Sequence, residues 1–177
     1  MNNKIVIIGY RATGKSSVSA LLGERLGLPV VDTDAEVERT AGKTIAEIFA
    51  GEGEPAFRDK EAAAVAATVA RAEPLIISTG GGAILREESR RLLRGSGRVF
   101  WLTASRETIY YRMHSDVTNS DRRPPLTDLS PLLEIESVLN FRNPIYQETA
   151  HYKIDTENKT IDRIVDEIIQ NINERNE

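Results

Sequence analysis

Two glycines near the amino terminus are spaced in a way that suits the binding of a phosphate chain. An apolar run, 5–8, ends at Gly9, and Gly14-Lys15-Ser16 follows after four further residues. Glycines at this spacing allow the backbone to fold so that successive N–H groups point at one anion. Lys15 can reach the β- and γ-phosphates of a nucleotide, and the Ser16 hydroxyl can ligate Mg²⁺. We therefore predict a nucleotide-binding loop whose contacts come from Arg11, Ala12, Thr13, Gly14, Lys15, Ser16 and Ser17.

Strand and helix patterns on either side of the loop argue against a chance match in a glycine-containing turn. A buried-strand pattern precedes it, and a helix, 16–26, follows and is closed by Gly27. Further apolar strands alternate with helical segments, which predicts an α/β fold with a parallel sheet whose ligands bind at the carboxyl ends of the strands. The predicted further strands are 30–31, 75–78, 98–102 and 152–155.

Two carboxylates follow the second predicted strand directly. Asp32 and Asp34 are separated by one residue, so an extended chain would place both on the same side, close to the phosphate loop. One could then face a metal ion and the other a substrate hydroxyl. The alternative is a structural role, in which Asp34 caps a helix over 35–40.

The long connection 35–72 predicts extra helices that could build the pocket for a second substrate. A short helix begins at Thr44 and is stopped by Gly51, and an alanine-rich helix covers 57–72. Arg58 lies near the start of that helix, where its planar fork could bind a carboxylate. The alternative is an ion pair with a neighbouring acidic residue, namely Glu54, Asp59 or Glu61.

Three consecutive glycines, Gly80, Gly81 and Gly82, follow the third predicted strand. Such a turn allows the backbone to approach a ligand closely, although a flexible turn has the same composition. Arg142 precedes Pro144, and we expect the helix to end in a turn there that orients the arginine.

A polar segment without periodicity, 114–127, predicts a mobile lid over the nucleotide. Arg123, followed by two prolines, is a charge on a stiffened backbone that could close on phosphates. A disordered tip carrying ordinary surface charge is the alternative.

The composition limits the other functional classes. The chain has 177 residues, which allows one domain, and its net charge of −4 gives no reason to expect nucleic acid as a partner. Cysteine is absent, which suits a reducing cytoplasm and excludes a catalytic thiol. The first strand leaves no room for a signal peptide, and no apolar run is long enough to cross a membrane. A monomer is the simplest expectation.

Taken together, these residues predict a phosphoryl-transfer enzyme or a nucleotide switch. The Asn-Lys-x-Asp motif with which a switch would recognise guanine is absent from the sequence. Convergent arginines suggest an anionic acceptor, and the carboxylate at Asp34 suggests a hydroxyl nucleophile. The chemistry therefore favours a small-molecule kinase, with a gluconate-type kinase or a non-catalytic nucleotide-binding protein as the alternatives.

The sequence resembles the shikimate kinase family over nearly its whole length. The phosphate loop, Asp32-Thr33-Asp34 and the triple glycine all match family motifs. The most specific match is Ile45-Ala46-Glu47-Ile48-Phe49 with Gly53-Glu54 and Phe57-Arg58, and Arg142-Asn143-Pro144-Ile145-Tyr146 matches the family's R-x-P-x-Y. Ala12 stands where the family commonly has glycine.

The resemblance implies ATP-dependent phosphorylation of the 3-hydroxyl of shikimate, in the pathway to chorismate and aromatic amino acids. It implies a three-layer kinase fold with a five-stranded parallel sheet in the order 2-3-1-4-5, one domain over 1–177, a shikimate-binding insert at about 33–61 and a lid at about 113–127. By position, Lys15, Asp34 and Arg123 would be catalytic, with Arg122 as the neighbouring candidate for the lid arginine. Ser16 and Asp32 would hold Mg²⁺, and Arg112 and Arg123 would contact ATP. Shikimate would be bound by Asp34, Arg58, Gly80, Gly81, Gly82 and Arg142.

Overall fold

A computed structural model describes residues 3–115 and 130–174 of the chain. Strands and helices alternate along most of it. The strands are β1 (Lys4–Gly9), β2 (Val30–Asp32), β3 (Ile76–Ser78), β4 (Gly97–Thr103) and β5 (Tyr152–Asp155). The helices are α1 (Lys15–Leu26), α2 (Thr33–Ala41), α3 (Ile45–Val69), α4 (Glu87–Ser96), α5 (Arg106–Ser115), α6 (Pro131–Thr149) and α7 (Ile161–Asn173).

The five strands form one parallel sheet in the order β2-β3-β1-β4-β5, which confirms the predicted topology. Gly9 at the end of β1 is paired with Leu102 of β4, and Asp32 at the end of β2 is paired with Ser78 of β3. The carboxyl ends of the central strands therefore lie side by side, and the phosphate loop, the two aspartates and the triple glycine all leave the sheet at this edge.

Helices cover both faces of the sheet because successive strand residues point to opposite sides. Val6, Ile8 and Ile77 lie in one apolar cluster, which includes side chains from α3, α4 and α6. Ile5 and Ile7 lie in a second cluster with side chains from α1 and α7. This arrangement is the predicted three-layer sandwich, and the near-continuous apolar strands follow from burial on both faces.

The helical insert differs from its prediction at the position of the break. Helix α3 begins after Thr44, whose hydroxyl and backbone exchange hydrogen bonds with Glu47 in a capping box. The predicted stop at Gly51 is wrong: the helical path is interrupted two residues later, at Gly53, where φ is 81° and ψ is 171°. Pro55 then opens the second helical part, where its missing N–H costs little.

Helix α6 also differs from its prediction. The expected turn at Pro144 is wrong, because the helix continues through this residue to Thr149. Pro144 and Asn140 both lie on the exposed side, so water can bind the Asn140 carbonyl that the proline leaves without an N–H partner. Arg142 is therefore oriented by the helix itself rather than by a turn.

Within residues 3–115 and 130–174, no helix is long and apolar enough to cross a membrane. The predicted lid lies outside the described residues except for 113–115, which form the end of α5.

Candidate active site

The phosphate loop connects β1 to α1 in the backbone conformation that its glycines allow. Gly14 caps α1 with a φ of 94°, and Ala12 adopts a left-handed conformation with a φ of 60°. The Tyr10 carbonyl accepts hydrogen bonds from Lys15 Nζ at 2.8 Å and from Thr13 Oγ1 at 2.7 Å. These bonds hold the lysine over the loop, at the amino end of a helix whose free N–H groups favour an anion.

Gly9 is required where the loop leaves the sheet. Its φ is 150°, and a Cβ added there would lie 2.6 Å from the Leu102 carbonyl oxygen and 2.9 Å from Thr13 Oγ1. Any side chain would therefore separate β1 from β4 or push Thr13 out of the loop. The first glycine of the motif fixes the distance between the loop and the sheet.

The two aspartates have different structural roles. Asp32, rather than Asp34, caps α2, because its Oδ1 accepts hydrogen bonds from the backbone N–H groups of Asp34 at 2.9 Å and Ala35 at 3.2 Å. Asp32 Oδ2 accepts a further bond from Ser78 Oγ at 3.1 Å. The alternative of a cap at Asp34 is therefore wrong, and Asp34 lies in the first turn of the helix.

The carboxylate of Asp34 lies against the triple glycine. A Cβ on Gly80 would be 3.0 Å from Asp34 Cγ and 2.9 Å from Glu61 Oε1. The Gly80 N–H donates to Thr33 Oγ1 at 3.0 Å, which ties the turn to the start of α2. The missing side chain at Gly80 thus makes room for two carboxylates.

The missing side chain at Gly82 likewise leaves space for the guanidinium of Arg58. A Cβ there would overlap the guanidinium, with Arg58 Cζ at 2.7 Å. Arg58 Nη1 donates to Glu61 Oε2 at 2.6 Å, and its Nη2 donates to Glu54 Oε1 at 3.0 Å. The ion pairs considered for Arg58 in the sequence do form with Glu54 and Glu61, but the arginine is only 13% exposed and does not lie on the surface.

The surroundings of Arg58 keep it charged. Burial disfavours the cation, but the adjacent carboxylates of Glu61 and Glu54 outweigh this effect, so the pKa of Arg58 is raised above its ordinary value. The Nε atom of Arg58 also donates to Glu54 Oε1, at 3.2 Å, so Glu54 occupies one edge of the guanidinium fork. A carboxylate ligand that used this edge would have to displace Glu54.

Helix α6 contacts the middle glycine of the turn. Arg142 Nη1 donates to the Gly81 carbonyl at 3.2 Å, and the Tyr146 hydroxyl donates to the same oxygen at 2.6 Å. The two residues are four apart and so share a helix face. Burial raises the pKa of the Tyr146 phenol, so the hydroxyl remains a donor.

Arg112 of α5 lies at the other end of the phosphate loop. Its Nη1 donates to the Thr156 hydroxyl at 3.1 Å, and its Nη2 donates to the Thr156 carbonyl at 3.0 Å. A longer bond, 3.4 Å, runs from Nη1 to the Ala12 carbonyl. The guanidinium plane is therefore held beside the loop, where a flat ring could stack on it.

One cavity of about 970 Å³ joins the phosphate loop to Asp34 and Gly81. The other predicted substrate-binding residues are not among the described residues that line it, namely Arg58, Gly80, Gly82 and Arg142. The phosphate loop, from Arg11 to Ser17, forms one wall, and Asp32, Asp34, Gly81 and Arg112 also line it. A nucleotide on the loop and an acceptor beside Asp34 would therefore share one space, as direct transfer between them requires.

A protein-family model described as shikimate kinase matches residues 11–173. Among curated proteins, the shikimate kinase of Rhodopirellula baltica is 44% identical over 94% of this chain and 88% of its own length. The shikimate kinase of Symbiobacterium thermophilum is also 44% identical, over 98% of both chains. The chain belongs to the shikimate kinase family.

Solved structures agree with this family assignment. A shikimate kinase from Acinetobacter baumannii in complex with shikimate superposes with a TM-score of 0.88 at 33% identity, over 96% of this chain and 92% of that chain. The Aquifex aeolicus shikimate kinase gives a TM-score of 0.79 at 28% identity, over 97% of both chains. A gluconokinase from Sinorhizobium meliloti has a TM-score of 0.57 at 19% identity, over 96% of this chain and 90% of that chain, and shows the shared fold alone.

Some residues of the site were not identified in the sequence as functional. The sequence patterns indicate Glu61 only as an ion-pair partner of Arg58, and Tyr146 only as part of a motif. Glu134 has no such pattern, although its buried carboxylate contacts the phosphate loop through Arg11. Their spacing from known site residues, three for Glu61 and four for Tyr146, is a helical signal that could have identified two of them.

The residues present fit a magnesium ion that is held mainly by nucleotide phosphates. In the described part of the chain, no group of three or more carboxylate or histidine side chains could bind a metal alone. Mg²⁺ commonly uses one or two protein oxygens together with phosphates and water. Ser16 and Asp32 line the cavity, and the three bonds that Asp32 accepts leave part of its lone-pair capacity for a bound water. The predicted lid residues Arg122 and Arg123 lie outside the described residues.

Proposed function

We propose that this protein transfers the γ-phosphoryl group of ATP to the 3-hydroxyl of shikimate, giving 3-phosphoshikimate and ADP for the synthesis of chorismate and aromatic amino acids. The observation that carries the proposal is the single cavity lined by both the phosphate loop and the Asp34–Gly81 side of the sheet. Family membership, with relatives at 44% identity, supports this reaction over the gluconate-type and non-catalytic alternatives.

The phosphate loop forms the donor half of the proposed site. Its backbone N–H groups and Lys15 bind the phosphate chain, with Arg112 beside the adenine. Ser16 and Asp32 would hold Mg²⁺, Asp32 through a water molecule, and the ion would neutralise charge on the phosphates when bound. In the structure Lys15 Nζ lies 2.8 Å from the Tyr10 carbonyl, so binding exchanges this bond for one to phosphate oxygen.

The acceptor half uses side chains from three helices and the backbone of the glycine turn. Arg58 and Arg142 bind the carboxylate of shikimate, and the glycine turn lines the ring. Asp34 accepts a hydrogen bond from the attacking hydroxyl, orients it and receives its proton as the bond to phosphorus forms. Orientation of the hydroxyl and charge stabilisation account for most of the rate enhancement, since the transition state of phosphoryl transfer is loose.

Arg123 completes the proposal as the lid residue that closes on the transferred phosphoryl group. This assignment rests on the family resemblance of Arg123-Pro124, because the residue lies outside the described ranges. We also propose that the protein is a monomer and that it acts in the cytoplasm. The absence of cysteine suits the second of these proposals.

Release of ADP by the purified protein tests the proposal. ATP and Mg²⁺ are supplied with shikimate, gluconate, AMP or no acceptor, and the Lys15→Met variant serves as a control for contaminating kinases. We expect turnover with shikimate that exceeds the other three reactions by at least about 100-fold, since a polar site rejects acceptors that leave its groups unpaired. Turnover that does not depend on shikimate would contradict the proposal.

A further inference from the structure

An ion pair joins the phosphate loop to the helix that carries Arg142. Arg11 Nη2 lies 3.0 Å from Glu134 Oε1, and the two side chains are 24% and 4% exposed. Glu134 lies in the first turn of α6, and Arg142 and Tyr146 follow on the same buried face of this helix. The pair therefore connects the donor half of the site with the helix that contacts the acceptor half.

The burial of Glu134 distinguishes this pair from ordinary surface pairs. A buried carboxylate is costly unless it is paired and hydrogen-bonded, whereas an exposed pair contributes little. The exposed pair of Arg91 and Glu87 on α4 is an example of the second kind. A buried acid beside a nucleotide-binding loop is therefore better explained by what it does to Arg11 than by a gain in stability.

The contacts of Arg11 fix one edge of its guanidinium. Nε donates to the Tyr10 hydroxyl at 3.2 Å, and Nη2 donates to Glu134. Among the described residues, 3–115 and 130–174, Arg11 makes no hydrogen bond through its Nη1 atom. The side chain is thus held in place by one edge of the fork, and the other donors are available to a ligand.

The position of Arg11 identifies the ligand that those donors can reach. Arg11 lines the 970 Å³ cavity together with Lys15 and Ser16. Its backbone nitrogen is 3.6 Å from the point where a Cβ on Gly81 would lie, and Gly81 belongs to the glycine turn of the acceptor half. The backbone of Arg11 is therefore at the junction of the two halves, and the residue lines the cavity in which the terminal phosphate of a nucleotide would meet the acceptor.

We propose that Arg11 is a second positive charge for the terminal phosphates of the nucleoside triphosphate, beside Lys15, and that Glu134 is the positioning residue that holds it there. The inference rests on the proposed function. A cation fixed before the reaction stabilises phosphoryl oxygens without reorganisation during transfer, whereas an unheld arginine would have to be ordered first.

Binding and turnover of three variants test the charge. For Arg11→Met we expect binding of the non-hydrolysable analogue AMP-PNP, measured by calorimetry, to weaken by about tenfold, as for the loss of a charge-assisted hydrogen bond. We expect kcat to fall by about 10–100-fold, with the KM for shikimate changed by less than about threefold. Arg11→Lys keeps the charge and should recover most of the AMP-PNP affinity. Glu134→Gln should lower kcat, as Arg11→Met does, but by about 3–10-fold.

A charge swap separates this role from a purely structural one. In Arg11→Glu/Glu134→Arg, the ion pair is reversed, so thermal stability should return towards the wild-type value while kcat stays low. Restored turnover in the swap variant would overturn the proposal. Wild-type affinity for AMP-PNP in Arg11→Met would also overturn it, as would an Arg11→Lys variant that binds AMP-PNP as weakly as Arg11→Met does. Arg91→Met is the matched control and should resemble the wild type. If the wild type itself lacks shikimate-dependent turnover, the proposed function fails, and the AMP-PNP measurements still test Arg11.

Discussion

The donor and acceptor halves of the site are built in different ways. The phosphate-binding part of the donor half is one contiguous stretch, from Gly9 to Ser17, whose shape depends on backbone conformation at Gly9, Ala12 and Gly14. The acceptor half takes its side chains from α2, α3 and α6, and the glycine turn contributes backbone. Its parts are held together by contacts between charged side chains and by close packing against glycine.

This difference indicates how each half tolerates change. Backbone N–H groups of the loop are present whatever the side chains are, so many substitutions in the donor half leave its anion site intact. In the acceptor half, one added methyl group or one lost charge changes the position of a substrate-binding side chain. We therefore expect the acceptor half to be the more sensitive, and four substitutions test this expectation.

Asp34→Asn should have the largest effect. The amide has nearly the same shape but cannot take the proton of the hydroxyl, so we expect kcat to fall by at least about 10³-fold, within the range of general base catalysis. Shikimate should still bind to the variant, with its dissociation constant measured by calorimetry. Circular dichroism should show an unchanged fold, and near-normal turnover would remove Asp34 from the chemistry.

Gly82→Ala should have the second-largest effect. The new methyl group would lie 2.7 Å from Arg58 Cζ, so the guanidinium must move away from its place. Because the site requires the fork in that position, we expect the KM for shikimate to rise by about 100-fold and the KM for ATP to change little. Gly95→Ala is the control, since a Cβ there has no neighbour within 4 Å. An equal rise in the KM values for shikimate and ATP would indicate a general disturbance of the structure rather than displacement of Arg58.

Arg58→Lys should have a smaller effect than the glycine substitution. Lysine keeps the positive charge near Glu61 but loses the planar fork, so we expect the KM for shikimate to rise by about 10–30-fold. The matched control is Arg39→Lys, because Arg39 forms an exposed pair with Glu36 three residues away. Steady-state kinetics on both variants would contradict the acceptor role of Arg58 if their KM values were the same.

The sequence predicts the donor half better than the acceptor half, because the first depends on local patterns and the second on contacts between segments. The loop and strands are local patterns, so the five strands, their order and the position of Asp34 beside the loop could be predicted from spacing and from family motifs. The partners of Arg58, Glu54 and Glu61, lie within helical spacing and could be predicted, but the packing of Arg58 against Gly82 and the partner of Arg11 depend on contacts between segments. The burial of Glu134, 123 residues from Arg11, has no local signal.

Helix ends show the same limit on a smaller scale. The sequence alone could not indicate that Pro144 lies on the exposed side of α6, where the carbonyl that loses its N–H partner is accessible to solvent. Asp32 caps α2 through Oδ1 and accepts a bond from Ser78 of the neighbouring strand through Oδ2, a contact between segments that the local sequence does not contain.

Ala12→Gly should have the smallest effect and tests the donor half. The φ of 60° at Ala12 costs an L-residue roughly 1–2 kcal/mol, and glycine removes this cost but gains freedom in the unfolded chain. We expect the free energy of unfolding, measured with urea, to rise by about 0.5–1 kcal/mol and the KM for ATP to change by less than about threefold.

The control for that measurement is Asn158→Gly, at the other non-glycine residue with a positive φ among the described residues, 53°. Asparagine tolerates this conformation better than alanine, so its replacement should stabilise the protein less. A large rise in the KM for ATP in Ala12→Gly would mean that the methyl group itself shapes the loop. The donor half would then depend on side-chain packing, as the acceptor half does.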